Sequence, residues 1–399
     1  MLTVLGWSII GGSVLWGASP LIEMLFMRNR LSDKKLKEEL RKTFVRGDFF
    51  KKVNNKEVYP TLLNFERNRE RITFVFAIQK GFDPETFKKR EYVFKQHFGS
   101  YIDLDIRVDK GILTVYQKGL TKNFKYAFEI ISESIKGMKL PIVGGVGIDG
   151  ELISFDMAKN PHVLIAGETG SGKSSEIRSV LTTLIKTKSP DQLQLILGDL
   201  KRSEFHLFKK IKHVTGVFHS ADELRPQLKK VKREMVKRGN KLDAAGVNSI
   251  DDLNEQLPYI VVCIDEVVLL KKETDITDIL EEISSIGRSL GVFVILSMQR
   301  PDSKLLDGKL KVNLTVRMGF KTADSINSKI IGTPGSEKLE NPGRMLLAVN
   351  SKIQEVQCPW LENNEARKLL SPYKQEEEKS VENESNEYEE VLGVLEDEK

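Results

Sequence analysis

One stretch constrains the fold of this chain more than any other: residues 160–175, Asn-Pro-His-Val-Leu-Ile-Ala-Gly-Glu-Thr-Gly-Ser-Gly-Lys-Ser-Ser. Residues 163–166 are a short apolar run of the length of a buried parallel strand. Gly167, four residues, then Gly172-Lys173-Ser174 complete the pattern G-x-x-x-x-G-K-[ST]. Beyond it, Ile177, Val180, Leu181 and Leu184 recur at helical spacing over 175–186. A strand, a glycine-rich loop and a helix in that order make a phosphate cradle. The glycines let several N–H groups turn inward, and the helix N-terminus adds its partial positive charge. A glycine-rich turn matching by chance need bring neither the strand nor the helix. The residues expected to hold a nucleotide, ATP, are Gly167, Glu168, Thr169, Gly170, Ser171, Gly172, Lys173, Ser174 and Ser175. Lys173 is placed to reach the β- and γ-phosphates, and the Ser174 hydroxyl to ligate Mg²⁺.

After this loop, apolar runs alternate with helical segments. Residues 193–197, 259–264 and 292–296 read as strands, and 314–318 as a fourth, less apolar one. Residues 345–349 and 352–357 read as a closing hairpin. The pattern predicts an α/β domain with a mostly parallel central sheet covered on both faces. The run Tyr259-Ile-Val-Val-Cys-Ile ends in Asp265-Glu266. Such a pair often marks only a strand end. Downstream of a phosphate loop it acquires chemistry: Asp265 supports Mg²⁺, and Glu266 orients and activates the attacking water. At the tip of the next strand, Gln299 is a candidate sensor of the γ-phosphate, although a plain strand-to-loop transition also fits there. His162, beside the loop, reads as structural rather than metal-ligating.

The chain's 399 residues suggest two or three domains. Its two cysteines offer no framework for disulfides or zinc, and Cys263 inside an apolar run reads as an inert thiol. Residues 371–399 hold ten Glu and one Asp against three Lys, net −8, which leaves +13 on residues 1–370 of a chain of net +5. A basic body with an acidic tail is compatible with an anionic partner.

Residues 4–27 are the most apolar part of the chain, and about 20 such residues span a bilayer. No Lys or Arg precedes them, while Arg28, Arg30, Lys34, Lys35 and Lys37 follow. The positive-inside rule then places the rest of the chain in the cytoplasm, as a single-pass protein of the cell membrane. A cleaved signal peptide would carry a basic segment ahead of the apolar run. Further on, a strand at 72–78, a helix at 84–98 with Asp83 as N-cap, and strands at 102–108 and 112–117 form a small α+β unit without catalytic spacing. The expected organisation is a membrane anchor at 1–27, a basic juxtamembrane linker at 28–57, the small α+β domain at 58–139, the ATPase domain at 140–370 and an acidic, disordered tail at 371–399.

Together, these pieces resemble the FtsK/SpoIIIE DNA translocases and related conjugative coupling ATPases. Besides the loop, the matches run in order through Gly198-Asp-Leu-Lys201-Arg-Ser-Glu204-Phe, Glu234-Met-Val-Lys-Arg238, Gly246-Val-Asn-Ser-Ile, Gly287-Arg288-Ser-Leu-Gly291, Ser297-Met-Gln299-Arg-Pro, Arg317, Asp324-Ser325 and Gly335-Ser-Glu-Lys-Leu339. The resemblance covers about residues 140–361 and implies a RecA-like P-loop NTPase fold. It also implies an ATP hydrolase that moves DNA through a ring, typically hexameric, with an arginine supplied across the subunit boundary. Arg288, Arg317 and Arg344 are the candidates for that arginine, and Lys201, Arg202, Lys304, Lys309 and Lys311 for pore-loop phosphate contacts. Two departures stand out. The family's Gly-Asp-Met-Leu is here Gly343-Arg344-Met345-Leu346, and only a short acidic tail follows Leu370, so neither a winged-helix sequence reader nor a multi-pass membrane domain is expected. A short anchor, a small module and a bare motor are most similar to the TcpA-like coupling proteins of Gram-positive conjugative elements, with a relaxase and mating-channel proteins as partners. A partitioning translocase, or a membrane-tethered DNA-binding scaffold with a regulatory nucleotide site, are the alternatives. The water-activating Glu266 speaks against the scaffold.

Overall fold

Alternation in Ile72-Thr-Phe-Val-Phe-Ala puts Ile72, Phe74 and Phe76 on one fully buried face, the start of the first of two bodies. In this computed structural model, residues 32–306, 309–350 and 352–375 are described. The apolar run at 4–27 and the acidic residues 376–399 lie outside them. No helix among the described residues is long and apolar enough to cross a membrane.

The smaller body comprises α1 (Asp33–Arg46), a short antiparallel ribbon of β1 (Lys51–Val53) and β2 (Lys56–Val58), then β3 (Thr61–Arg67), β4 (Arg71–Ala77), α2 (Glu85–Lys89), α3 (Glu91–Phe98), β5 (Ile102–Ile106) and β6 (Lys110–Tyr116). Its main sheet is antiparallel in the order β3-β4-β6-β5. Leu36, Leu40 and Phe44 lie one helical turn apart on α1 and are buried with Phe49, Phe87, Phe94 and Phe98 in one core. Phe49 and Phe87 stack with centroids 4.6 Å apart, and each fully buried ring stabilises the fold by about 1.5–3 kcal/mol. The basic stretch expected as a linker at 28–57 therefore contributes a helix to this core, with its lysines on the solvated side. The helix expected over 84–98 breaks at Arg90, whose side chain turns back to donate to the Gly47 carbonyl at 2.6 Å. Asp83 does act at its start, accepting from the Glu85 N–H at 3.0 Å.

The larger body follows with α4 (Phe128–Ser134), β7 (Pro141–Val146), β8 (Leu152–Asp156), β9 (Val163–Ala166), α5 (Lys173–Thr187), β10 (Leu193–Asp199), β11 (Val214–Phe218), α6 (Ala221–Ala245), β12 (Tyr259–Asp265) and α7 (Thr274–Ile286). It closes with β13 (Val292–Met298), α8 (Lys309–Asn313), β14 (Val316–Phe320), α9 (Ser325–Ile331), β15 (Arg344–Val349), β16 (Lys352–Gln357) and α10 (Asn363–Leu370). Ten strands form one sheet in the order β11-β10-β12-β13-β9-β14-β15-β16-β7-β8. The first six are mutually parallel, and the remaining neighbours pair antiparallel. Leu164 and Ile165 point to opposite faces and are both buried, each in a different core cluster. A two-sided burial of this kind is why the strands read as unbroken apolar runs. Tyr126, Ile131 and Ile135 belong to the larger core, so this body packs residues upstream of 140.

Two local differences from the sequence expectation have clear causes. The strand expected at 314–318 starts two residues later, because Leu314 still closes onto the Leu310 carbonyl and Thr315 is tied at both N and Oγ1 to the Pro161 carbonyl. The basic helix α6 is not wholly an exposed face: Leu224, Leu228, Val231 and Met235 are buried, and the Arg238 guanidinium is interior, donating to the Leu290 carbonyl at 2.8 Å.

Candidate active site

Lys173, Ser174, Asp265, Glu266 and Gln299 gather at the C-terminal ends of the parallel strands, where open α/β sheets bind ligands. β9 lies between β13 and β14, and the loop 167–172 leaves its tip to enter α5. Gly172 has φ 110, and a Cβ there would meet the Gly343 backbone at 2.7 Å. The close approach is used: the Gly343 N–H donates to the Ser171 carbonyl at 2.8 Å and fixes the loop from the β15 side. Among the described residues, no protein acceptor meets the N–H groups of Gly170, Gly172, Lys173 or Ser174. These are the orphan donors of a helix start, gathered where an anion fits.

Lys173 is almost fully enclosed. Its Nζ donates to Asp265 Oδ1 and to Ser297 Oγ, each at 2.7 Å, and Ser297 Oγ donates to the same Asp265 oxygen at 2.8 Å. Asp265 is positioned by the last register pair of β12 with β10, opposite Asp199. Ser297 reaches the site from β13, where it pairs with Ile165 of β9. Ser174 Oγ donates to Glu204 Oε1 at 2.5 Å. A serine hydroxyl and a carboxylate, Ser174 and Asp265, thus flank the loop as the hard oxygen donors that suit Mg²⁺. Among the described residues, no group of three or more His, Cys, Asp and Glu could hold a metal by itself. With so few protein donors, Ser174 and Asp265 would hold Mg²⁺ only together with the nucleotide, whose negative charge the ion would offset.

Glu266 follows Asp265 in the left-handed region, φ 56, and is buried. Its Oε2 accepts from Lys201 Nζ at 2.7 Å, and both of its oxygens lie within 3.3 Å of the Gln299 N–H. Gln299 also accepts from Thr169 Oγ1 at 3.3 Å, so it bridges the phosphate loop and Glu266. Glu168 and Ser171 belong to the loop backbone network through Lys321 and Gly343, and Ser175 Oγ instead ties α5 to Pro359 and Leu361. Behind the loop, the carboxyl of Glu176 is fully buried beside Cys358, and burial pushes its pKa well above the usual carboxylate range. Burial thus favours the neutral form of Glu176 beside the phosphate cradle.

The three arginines sit in different settings. Arg344 is buried and bonded within its own chain, to Gln357, to Glu355 and to the Leu120 and Thr121 carbonyls of the connection between the two bodies. That geometry is structural, since an arginine acting on a neighbouring subunit must be free to leave its own. Arg317 is half-buried and donates to the Lys311 carbonyl at 2.9 Å. Arg288 is exposed, between α7 and β13. Of the expected phosphate-contacting cations, Lys201, Arg202 and Lys304 are exposed and Lys311 half-buried, while the side chain of Lys309 lies outside the description. Sequence reasoning passed over Ser297 and Glu204 as site residues. The available signal was their position just at or past a strand tip.

His162 is buried with φ 63; its Nδ1 accepts from the Val294 N–H at 3.2 Å, and Nε2 has no partner. Burial pushes its pKa down to about 4. The folded chain therefore keeps a neutral ring while the unfolded chain protonates below about 6.5. The associated stability is complete above about pH 6.5 and is lost as pH falls toward 4, amounting to about 3 kcal/mol. Urea midpoints measured at pH 7 and pH 4.5 are expected to differ less in His162→Asn than in the native chain.

Comparison with known proteins places these observations. The FtsK/SpoIIIE family model matches residues 134–257. A DNA translocase FtsK of Borreliella burgdorferi is 34% identical over 274 residues, which is 63% of this chain and 35% of that protein. The FtsK of Chlorobaculum tepidum is 34% identical over 248 residues, 57% of this chain and 31% of that protein. The chain thus spans about a third of the length of these relatives. Among solved structures, the pCW3 conjugation coupling protein TcpA, in a monomer form with ATPγS, superposes with a TM-score of 0.58 at 23% identity, covering 85% of this chain and all of that one. EssC (ATPases 2 and 3) of Geobacillus thermodenitrificans gives a TM-score of 0.56 at 19% identity, over 64% of this chain and 52% of that one.

Proposed function

We propose, from the match of residues 134–257 to the FtsK/SpoIIIE family model and the 34% identity with FtsK translocases, that this chain is a membrane-anchored, ATP-driven DNA translocase serving as the coupling protein of a conjugative element. The observation that carries the motor reading is the joint placement of Lys173, Asp265, Glu266 and Gln299 around one phosphate cradle. A purely structural nucleotide site has no use for Glu266. In this reading ATP is the substrate. The orphan N–H groups and Lys173 bind its phosphates, Ser174 and Asp265 hold Mg²⁺, and Glu266 orients the attacking water and accepts its proton. Bound Mg²⁺ supplies neutralisation of phosphate charge. Gln299 links Glu266 to the loop and so registers an occupied site. An arginine from the next subunit completes charge neutralisation in the transition state, and the exposed Arg288 is the candidate of choice. That arrangement requires a ring, with six copies as in the family.

The choice of DNA delivery over other jobs is supported by extent: the superposition on the TcpA coupling-protein structure takes in 85% of this chain and the whole of that one. Exposed Lys201, Arg202 and Lys304 offer phosphate contacts without base reading, so binding should be salt-sensitive and sequence-tolerant. A relaxase and mating-channel proteins are the partners this role requires. The 30–34% identity with FtsK translocases favours a second reading, DNA partitioning. Transfer frequency of a mobile element in cells lacking the gene separates the two. A loss of transfer with normal segregation supports delivery, and the reverse supports partitioning.

Anchoring rests on residues 4–27 and the basic residues after them. Deleting residues 1–27 is expected to move the protein from the membrane pellet to the supernatant. Unaltered sedimentation with membranes would remove the anchor from this account.

A further inference from the structure

The loop between β10 and the 3₁₀ turn at His206–Phe208 touches both chemical ends of the site at once. Glu204 holds the Ser174 hydroxyl, and Lys201 holds the Glu266 carboxylate. Its backbone is fixed from below: the buried Asp199 carboxylate accepts from the N–H groups of Ser203, Glu204 and Phe205. The Lys201 side chain, by contrast, is one-third exposed while its partner Glu266 is 7% exposed. The next residue, Arg202, is also exposed, and its left-handed φ of 56 turns the loop into a corner. A rigid frame therefore presents two cations to solvent, and one of them reaches inward to the candidate base.

We propose that Lys201 is a positioning residue that restrains Glu266, and that a nucleic-acid phosphodiester binding at the Lys201–Arg202 corner releases it. This rests on the proposed DNA-motor function. An ammonium 2.7 Å from Oε2, together with the Gln299 N–H, occupies the carboxylate oxygens that would have to receive a water proton. A general base so engaged is poorly placed to act. A backbone phosphate arriving at the corner offers the ammonium an alternative anion in solvent. When Lys201 turns outward, Glu266 keeps its frame through the Gln299 N–H, and its Oε2 loses the ammonium that engaged it. No bond is made or broken in this step; one ion pair is exchanged for another. Hydrolysis is thereby coupled to an occupied DNA track, so that ATP is spared when no DNA is present.

The test compares native chain, Lys201→Met, Lys201→Arg and the double variant Lys201→Met/Glu266→Gln, with duplex and single-stranded DNA of defined length as the probes. ATP turnover without DNA is expected to rise on the order of tenfold in Lys201→Met, since the restrained base is freed. Added DNA should then stimulate it little further. Lys201→Arg keeps a cation in reach and should retain the low basal rate and the stimulation. The double variant should lose the gain, because the gain runs through Glu266. Salt dependence of DNA binding, read by fluorescence anisotropy, gives a second readout, with the slope reduced by about one in Lys201→Met. A basal rate in Lys201→Met at or below the native value would overturn the restraint, whether or not DNA still stimulates. Absence of any DNA stimulation in the native chain would instead count against the DNA-motor reading, with the restraint still judged by the basal rate of Lys201→Met.

Discussion

Glu266→Gln is expected to leave nucleotide binding intact and to lower ATP turnover by two to four orders of magnitude, about what a positioned general base contributes. Gln is nearly isosteric, so the left-handed backbone at residue 266 and the acceptor role toward the Gln299 N–H both survive through the amide oxygen. What disappears is the capacity to take a proton and the ion pair with Lys201. Measured together, an unchanged Kd for a fluorescent ATP analogue and a collapsed kcat place the loss in the chemical step. Turnover close to native in this variant would move the base elsewhere and leave the second carboxylate with only a structural part.

Lys173→Ala acts on a different quantity. The ammonium is the buried partner of Asp265, with both side chains no more than 4% exposed. Removing it takes away the cation that meets the phosphates and strands a carboxylate in the interior. Breaking a buried pair in this way costs about 3–5 kcal/mol, so the melting temperature should fall as well as nucleotide affinity and turnover. The two consequences separate in the double variant Lys173→Ala/Asp265→Asn. Neutralising the stranded acid should restore most of the stability but none of the binding. A Lys173→Ala protein with native stability would show that Asp265 is not left stranded, and would contradict the buried-pair account. One that still turns over ATP at the native rate would place the phosphate site elsewhere.

Most of the larger body's fold was legible because its signals are local and redundant. A four-residue apolar run before Gly167, a helical repeat after Ser174 and an Asp-Glu at the end of the Tyr259 run each point to the same architecture, and the sheet brings them together. The site residues that escaped are those whose roles depend on register between strands. Ser297 reaches Lys173 only because β13 lies beside β9, and nothing in its own neighbourhood announces that. Lys201 was legible as a cation at a strand tip and was assigned to DNA. Its bond to Glu266 arises from β10 and β12 being neighbours with their ends level. Arg344 shows the converse: the family resemblance made it a candidate for the arginine acting across a subunit boundary, while in the structure it joins β15 and β16 to the Leu120–Thr121 connection. The segment 28–57 was misjudged for a compositional reason. Its many charges mask a three-residue apolar stripe, Leu36, Leu40 and Phe44, that suffices to dock α1 on the small sheet.

Movement along DNA is the claim on which the rest depends, and displacement of a triplex-forming oligonucleotide from a duplex tests it most directly. With ATP and Mg²⁺, the native protein is expected to strip the third strand at a rate that grows with ATP concentration, and Glu266→Gln is expected to bind the same duplex without stripping it. Vigorous ATP hydrolysis with the third strand left in place would contradict the account, since fuel would then be consumed without transport.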